Sequence, residues 1–101
     1  MARNAPSARV FVEFLPTIHG GRKSPIVLDG YRPHFRVGGG ELLGVEFFDG
    51  PSESVQPGGS SNASVRFLYS PNVSYEPLAV GAEFEILEGP NVIGYGRVLK
   101  R

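Results

Sequence analysis

Alternation of apolar and polar residues constrains this chain more than any other feature, because a period of two places successive side chains on opposite faces of a β-strand. In the first such run, Val10, Val12 and Phe14 share one face, while Phe11 and Glu13 lie on the other. No window of about 11 residues or more has the period of an α-helix. The predicted strands occupy residues 9–15, 31–37, 42–48, 62–69, 83–87 and 92–99.

Glycine and proline separate these strands, since the chain contains 14 glycines and 9 prolines, many of them in loops. An antiparallel barrel is the economical arrangement for six short strands, because closure leaves no unpaired strand edge. We therefore predict an all-β fold, a six-stranded antiparallel β-barrel formed by residues 8–101 and preceded by a flexible lead at residues 1–7. Gly94 and Gly96 leave one face of the last strand almost bare, which fits a barrel corner or a neighbouring backbone that approaches closely.

The charges of the chain cancel, and a net charge of zero gives no general attraction to nucleic acid. Their distribution is uneven, because cations dominate the first 37 residues and the last five, whereas carboxylates dominate the segment between them. If the two ends of the chain pair in the fold, we expect a basic side of the barrel opposite an acidic side. Eight of the ten cations are arginines, which suit planar contacts with phosphate, although a biased base composition of the genome would give the same excess.

Residue types that carry catalysis or bind metals do not occur in a recognisable pattern. The chain has no cysteine and no Gly-x-Ser-x-Gly motif, and His19 and His34 are not spaced with carboxylates for metal binding. Glu83 and Glu85 share a strand face and could form a carboxylate pair, but a solvated outer face explains them better. The sequence therefore predicts a protein that is not an enzyme and that holds no metal or other cofactor.

Four motifs carry the most specific signal in the chain. Residues 20–25 are Gly-Gly-Arg-Lys-Ser-Pro and residues 30–35 are Gly-Tyr-Arg-Pro-His-Phe. Near the end, residues 84–89 supply Phe-x-Ile-x-Glu-Gly and residues 92–98 supply Val-x-Gly-x-Gly-x-Val. In this order the motifs resemble the third, C-terminal β-barrel domain of bacterial elongation factor Tu, over almost the whole chain. The resemblance implies a six-stranded antiparallel barrel and a stand-alone homologue of that domain.

In that family the domain contacts the T-stem of aminoacyl-tRNA through backbone and sugar, and the resemblance implies a similar, weak contact with tRNA or another RNA. Arg22, Glu88 and Gly89 match the family's contact residues. Lys23 and His34 stand where the family usually has histidine and glutamine. With the arginine of the second motif included, the candidate RNA-binding residues are Arg22, Lys23, Arg32, His34, Glu88 and Gly89.

Several features of the translation factor have no counterpart in this sequence. Leu43 replaces a threonine of the family's contact set, and Tyr69 replaces a lysine or histidine. The glycines at residues 38–40 replace an Arg-Thr-Thr segment. The chain has no phosphate-binding loop and no Asn-Lys-x-Asp motif that would read a guanine base, so we expect no nucleotide binding.

A protein-binding module without RNA binding is the alternative function. Phe11 and Leu15 lie on the outer face of the first predicted strand and are more apolar than a solvated barrel exterior requires. The alternation also places Leu68 and Leu87 on outer faces. We predict that Phe11 and Leu15 cluster with a neighbouring strand and bind a protein partner or a second copy of the chain.

The start of the chain and its hydropathy suggest where the protein works. No long apolar run occurs, and the polar residues after Met1 lack the apolar core of a signal peptide. We therefore expect a cytoplasmic protein without membrane contact. A polar lead directly after Met1 also favours a natural stand-alone protein.

Overall fold

A computed structural model describes residues 6–101 of the chain. The strands are β1 (Ser7–Phe14), β2 (His34–Arg36), β3 (Leu43–Phe48), β4 (Ser60–Phe67), β5 (Glu83–Glu88) and β6 (Asn91–Lys100). They form a closed antiparallel barrel in the order β1-β4-β3-β2-β5-β6, which confirms the predicted fold class and strand number. A short 3-10 helix, Thr17–His19, follows β1. Within residues 6–101, no helix has the length and apolar character needed to cross a membrane.

The N-terminal boundary of the barrel lies close to the predicted one. β1 begins at Ser7, one residue before the predicted start. The Pro6 carbonyl accepts a hydrogen bond from the Phe67 amide at 2.9 Å, so the backbone just before β1 already contacts the end of β4. The first five residues of the predicted lead lie outside the described residues.

β2 is shorter than the predicted strand at 31–37. Pro33 has no N–H group and cannot donate a ladder hydrogen bond, so regular pairing begins only at His34. The preceding residues still follow β3, because the Val45 amide donates to the Pro33 carbonyl at 3.2 Å and the Phe47 amide donates to the Tyr31 carbonyl at 2.9 Å. Residues 31–33 are therefore held beside the sheet although they are not part of β2.

Apolar side chains from all six strands fill the barrel and follow the period-two alternation. Phe35 of β2 is fully buried. Its ring stacks on Phe84 of β5 at 3.9 Å between centroids and meets Phe47 of β3 edge-on at 5.8 Å. Aromatic pairs in these geometries contribute about 0.5–1.5 kcal/mol each beyond the area they bury. The three rings therefore join β2 to the strands on either side of it.

Gly94 and Gly96 on the inner face of β6 allow the backbone of β1 to approach closely. This agrees with one of the two explanations that the sequence offered for the bare face of the last strand. A Cβ atom at Gly96 would lie 2.5 Å from the Phe11 carbonyl oxygen and 2.5 Å from Cζ of Phe84. At Gly94, a Cβ atom would lie 2.5 Å from the Glu13 carbonyl oxygen. The pairing that closes the barrel therefore depends on the absence of side chains at these two positions.

Leu87 is buried although it lies on the outer side of β5. It pairs with His34, whereas its neighbour Ile86 pairs with Phe35, which points into the barrel, so Leu87 keeps the side of the sheet that the alternation predicts. The register between β5 and β6 shifts between Ile86 and Leu87, but the extra residue, Ile93, belongs to β6, and the alternation along β5 continues. Glu83 and Glu85 have the same outward orientation.

The expected separation into a basic side and an acidic side is wrong. β1 and β6 do pair, but six arginines form ion pairs with carboxylates from other parts of the chain. The pairs are Arg9–Asp49, Arg22–Glu88, Arg32–Glu46, Arg66–Glu46, Arg36–Glu85 and Arg97–Glu83. The last three join residues that lie directly opposite each other in the sheet, so the register brings opposite charges together rather than separating them.

Candidate functional site

Arg22 and Glu88, two of the predicted RNA-binding residues, meet at the end of the barrel where β5 turns into β6. Arg22 belongs to the loop after the 3-10 helix. Gly20 ends that helix in the left-handed region, with φ of 92°, and the Thr17 hydroxyl donates to the Arg22 carbonyl at 2.7 Å. The folded loop brings Nη1 of Arg22 to 3.4 Å from the Glu88 carboxylate. The first and third motifs of the sequence are therefore neighbours in space.

Tyr31 contacts Glu88 from the barrel interior. Its hydroxyl donates a hydrogen bond to Oε2 of Glu88. Its ring stacks on Phe47 at 5.7 Å between centroids and meets Phe14 edge-on at 6.5 Å. Burial, and after it the hydrogen bond to Glu88, raise the pKa of Tyr31. The hydroxyl therefore remains a fixed donor to the carboxylate. We call Arg22, Tyr31 and Glu88 the hairpin cluster.

Lys23 and Gly89 adjoin the hairpin cluster, and both are exposed. Among the ion pairs formed within residues 6–101, none involves Lys23. Its ammonium group is therefore open to an external anion. Gly89 has a φ of 57° in the turn between β5 and β6, a conformation that favours glycine. This turn presents a bare backbone next to the Glu88 carboxylate.

The remaining predicted RNA-binding residues lie along the outer side of β2 and its entry. Arg32, His34 and Arg36 alternate with buried residues, and we call these three the β2 face. His34 is in register with Leu87 of β5, the residue before Glu88. The β2 face and the hairpin cluster are therefore adjacent, and the fold brings the six predicted residues into one region.

Two arginines share one carboxylate at the edge of this region. Nε of Arg32 lies 3.2 Å from Oε2 of Glu46, and Nη1 of Arg66 lies 3.4 Å from Oε1 of the same residue. Arg66 also lies over the Phe48 ring at 4.0 Å from its centroid. Because one anion serves two cations, this part of the surface keeps a positive charge. Sequence reasoning missed Glu46 and Arg66, since only the pairing of β3 with β4 makes them neighbours.

A different surface carries the predicted partner-binding residue Phe11. Together with Tyr95 and Leu99 of β6, it lines a shallow depression of about 620 Å³. Phe11 is half-buried, whereas Tyr95 and Leu99 are 48% and 42% exposed. Leu15 lies beyond the end of β1 and does not line this depression. We call Phe11, Tyr95 and Leu99 the β1–β6 face.

Glu83 and Glu85 are engaged by arginines from two different strands. Nη2 of Arg97 donates to Glu83 at 3.0 Å, and Nε of Arg36 donates to Glu85 at 2.8 Å. Within residues 6–101, no three histidine, aspartate or glutamate side chains are grouped so that they could hold a metal ion. The two carboxylates are therefore partners in cross-strand ion pairs on the outer surface.

No protein-family model matches the sequence. The candidate surfaces therefore depend on the geometry described above and on the resemblance carried by the four motifs. One surface combines the hairpin cluster with the β2 face and is rich in hydrogen-bonding groups. The other, the β1–β6 face, is apolar at its centre and lies on the strands that close the barrel.

Proposed function

We propose that the protein is a non-catalytic, translation-factor-like module that binds the sugar–phosphate backbone of tRNA or another RNA through the hairpin cluster and the β2 face. The observation that carries this proposal is the contact between Arg22 and Glu88, 3.4 Å apart although they lie in distant motifs. Both residues belong to the motifs that resemble the third barrel of elongation factor Tu. A β-barrel by itself is not specific, because unrelated functions share such folds. The juxtaposition of these motif residues is therefore the stronger support.

The chemistry of the hairpin cluster suits an RNA backbone. Arg22 and Lys23 can donate to phosphate oxygens, which carry no sequence information but position the nucleic acid. The Glu88 carboxylate can accept a hydrogen bond from a ribose 2′-hydroxyl, a group that A-form RNA displays in its shallow minor groove. Tyr31 fixes one oxygen of this carboxylate through its own hydroxyl. A mixed cationic and anionic site of this kind favours sugar–phosphate contacts over purely electrostatic attraction.

The affinity for RNA is expected to be micromolar or weaker at low salt, because phosphate must compete with Glu88 for Arg22. In an Arg22→Ala/Lys23→Ala double variant, the slope of log affinity against log salt should fall by about two units, one for each lost phosphate contact. The affinity at low salt should fall about tenfold or more. Fluorescence anisotropy of labelled tRNA, titrated at several salt concentrations, measures both quantities.

Arg97→Ala is the matched control for this experiment. It also removes an arginine from an arginine–glutamate pair, but on β6 and away from the hairpin cluster. Its tRNA binding should remain close to that of the wild type. Equal losses of tRNA affinity in the control and the double variant would mean that the RNA is attracted by arginine charge in general and not by the hairpin cluster. Failure of the wild type to bind tRNA at low salt would rule out the proposal.

Docking on a second copy of the chain is the second candidate function, favoured by the exposed side chains of the β1–β6 face. Apolar groups that adjoin on a surface often mark an interface. Arg97 and Glu83 at the rim of the depression supply one charge of each sign, so this surface can complement its own copy in a two-fold contact. Phe11→Ser and Tyr95→Ser should weaken self-association in sedimentation equilibrium, whereas Leu15→Ser, outside the depression, should not. A wild type that stays monomeric at every concentration would exclude this function.

A further inference from the structure

Tyr69 follows β4 and lies against the outer surface of β3. The edge of its ring formed by Cδ2 and Cε2 contacts Gly44, where a Cβ atom would overlap the ring. The ring can lie this close to the strand only because position 44 has no side chain. Even so, 53% of Tyr69 remains exposed. Part of an aromatic ring is therefore packed on the sheet while the rest is open to a ligand.

Tyr75 fixes the backbone that carries this exposed ring. The Tyr75 hydroxyl donates to the Gly44 carbonyl at 2.5 Å and accepts a hydrogen bond from the Tyr69 amide at 3.2 Å. Its own ring is buried and stacks on Phe67 at 4.5 Å between centroids. One buried phenol thus connects the backbone of Tyr69 to the strand beneath it. A ring held in this way loses little conformational freedom when a ligand binds.

Tyr69 lies close to the proposed RNA-binding surface. Gly44, under the ring, is in register with His34 of the β2 face. His34 is in turn in register with Leu87, next to Glu88. The strand under Tyr69 therefore lies two strand spacings, about 10 Å, from the strand that carries Glu88. A single RNA molecule can span this distance.

We propose that Tyr69 is a stacking surface for an unpaired base of the RNA whose backbone contacts the hairpin cluster, an inference that rests on the proposed function. Stacking on an aromatic side chain tolerates any sequence, because every base has a π-face. Bases inside a duplex are already stacked and do not offer this face. The ligand is therefore an RNA in which a duplex adjoins a single-stranded segment, with the duplex backbone at the hairpin cluster and the first unpaired base on Tyr69.

The experiment compares two labelled RNA hairpins that share one stem, one blunt and one with a single-stranded 3′ extension. The wild type should bind the extended RNA about tenfold more tightly than the blunt RNA. Tyr69→Ala should bind both RNAs equally, at the wild-type affinity for the blunt one, whereas Tyr69→Phe should keep the preference. Because the chain has no tryptophan and four tyrosines, stacking should also quench its tyrosine fluorescence, and this quenching should be smaller in Tyr69→Phe.

Tyr95→Ala is the matched control, since it removes a tyrosine of similar exposure from the β1–β6 face. It should keep the preference for the extended RNA, and thermal melts of all variants check that they are folded. Equal binding of both RNAs by the wild type would exclude the stacking role and leave the backbone-binding function in place. Binding of neither RNA by the wild type would exclude both proposals.

Discussion

Gly96→Val is expected to lower the free energy of unfolding by about 3 kcal/mol or more, a large part of the stability of a small domain. A Cβ atom at this position would lie 2.5 Å from the Phe11 carbonyl oxygen and from the Phe84 ring. The carbonyl belongs to the backbone of β1 and can move away only if the pairing that closes the barrel opens. The ring cannot yield either, because it is stacked on Phe35 at 3.9 Å.

Gly39→Ala is the matched control for this substitution. Nothing lies within 4 Å of a Cβ atom built at Gly39, and its φ lies outside the left-handed region. This change should leave stability unchanged or raise it by about 0.4–1 kcal/mol, since alanine restricts the unfolded chain. Urea denaturation of both variants, followed by circular dichroism, measures the difference. Similar denaturation midpoints for the two variants would contradict the conclusion that β1 can pair with β6 only where the inner face of β6 has no side chains.

The barrel itself could be predicted from the sequence because its strongest signal is local. Val10 and Val12 alternate with outward residues on β1, and this pattern survives folding unchanged. Leu87 shows what the same reasoning leaves out. The alternation gives the side of the sheet on which Leu87 lies, but it does not show that the folded chain covers this side chain. Burial on the outer side of a strand depends on contacts with other segments, and a pattern along one strand carries no information about them.

The charges could not be predicted in the same way. Arg32 and Arg66 meet at Glu46 because β2, β3 and β4 are neighbours in this register. Composition along the chain gives only the number of charges in each segment. Which cation meets which anion depends on contacts between residues that are distant in sequence. Positive and negative side chains are therefore neighbours on the surface that was predicted to be basic.

The candidate site was predicted in part, and its detailed geometry was not. The resemblance to a translation-factor barrel indicated Arg22 and Glu88, but no local pattern showed that they form an ion pair. The hydrogen bond from Tyr31 to Glu88 and the contact of Tyr69 with Gly44 likewise join distant segments. These contacts decide what each side chain can offer: the ion pair occupies the guanidinium of Arg22, and the contact at Gly44 holds the Tyr69 ring on the surface of the sheet.

The β2 face depends on one buried side chain, which makes Phe35 the second position with a large expected effect. β2 has three residues, and Phe35 is the buried one between two half-buried neighbours. Its contacts with Phe84 and Phe47 hold the strand that carries His34. Phe35→Ala should therefore lower the free energy of unfolding by about 3–5 kcal/mol, from the lost burial and the cavity left behind.

Phe48→Ala provides the control for Phe35→Ala, because Phe48 is half-exposed on the outer side of β3 and contacts Arg66 at 4.0 Å. Loss of that exposed cation–π contact should cost about 1 kcal/mol or less. Urea denaturation gives the two stabilities, and tRNA anisotropy below the unfolding transition gives the effect on binding. We expect weaker binding in Phe35→Ala at a denaturant concentration where it is still folded, because β2 no longer holds His34 and Arg32 in place. Equal stability losses in the two variants would mean that the stacked rings do not anchor β2.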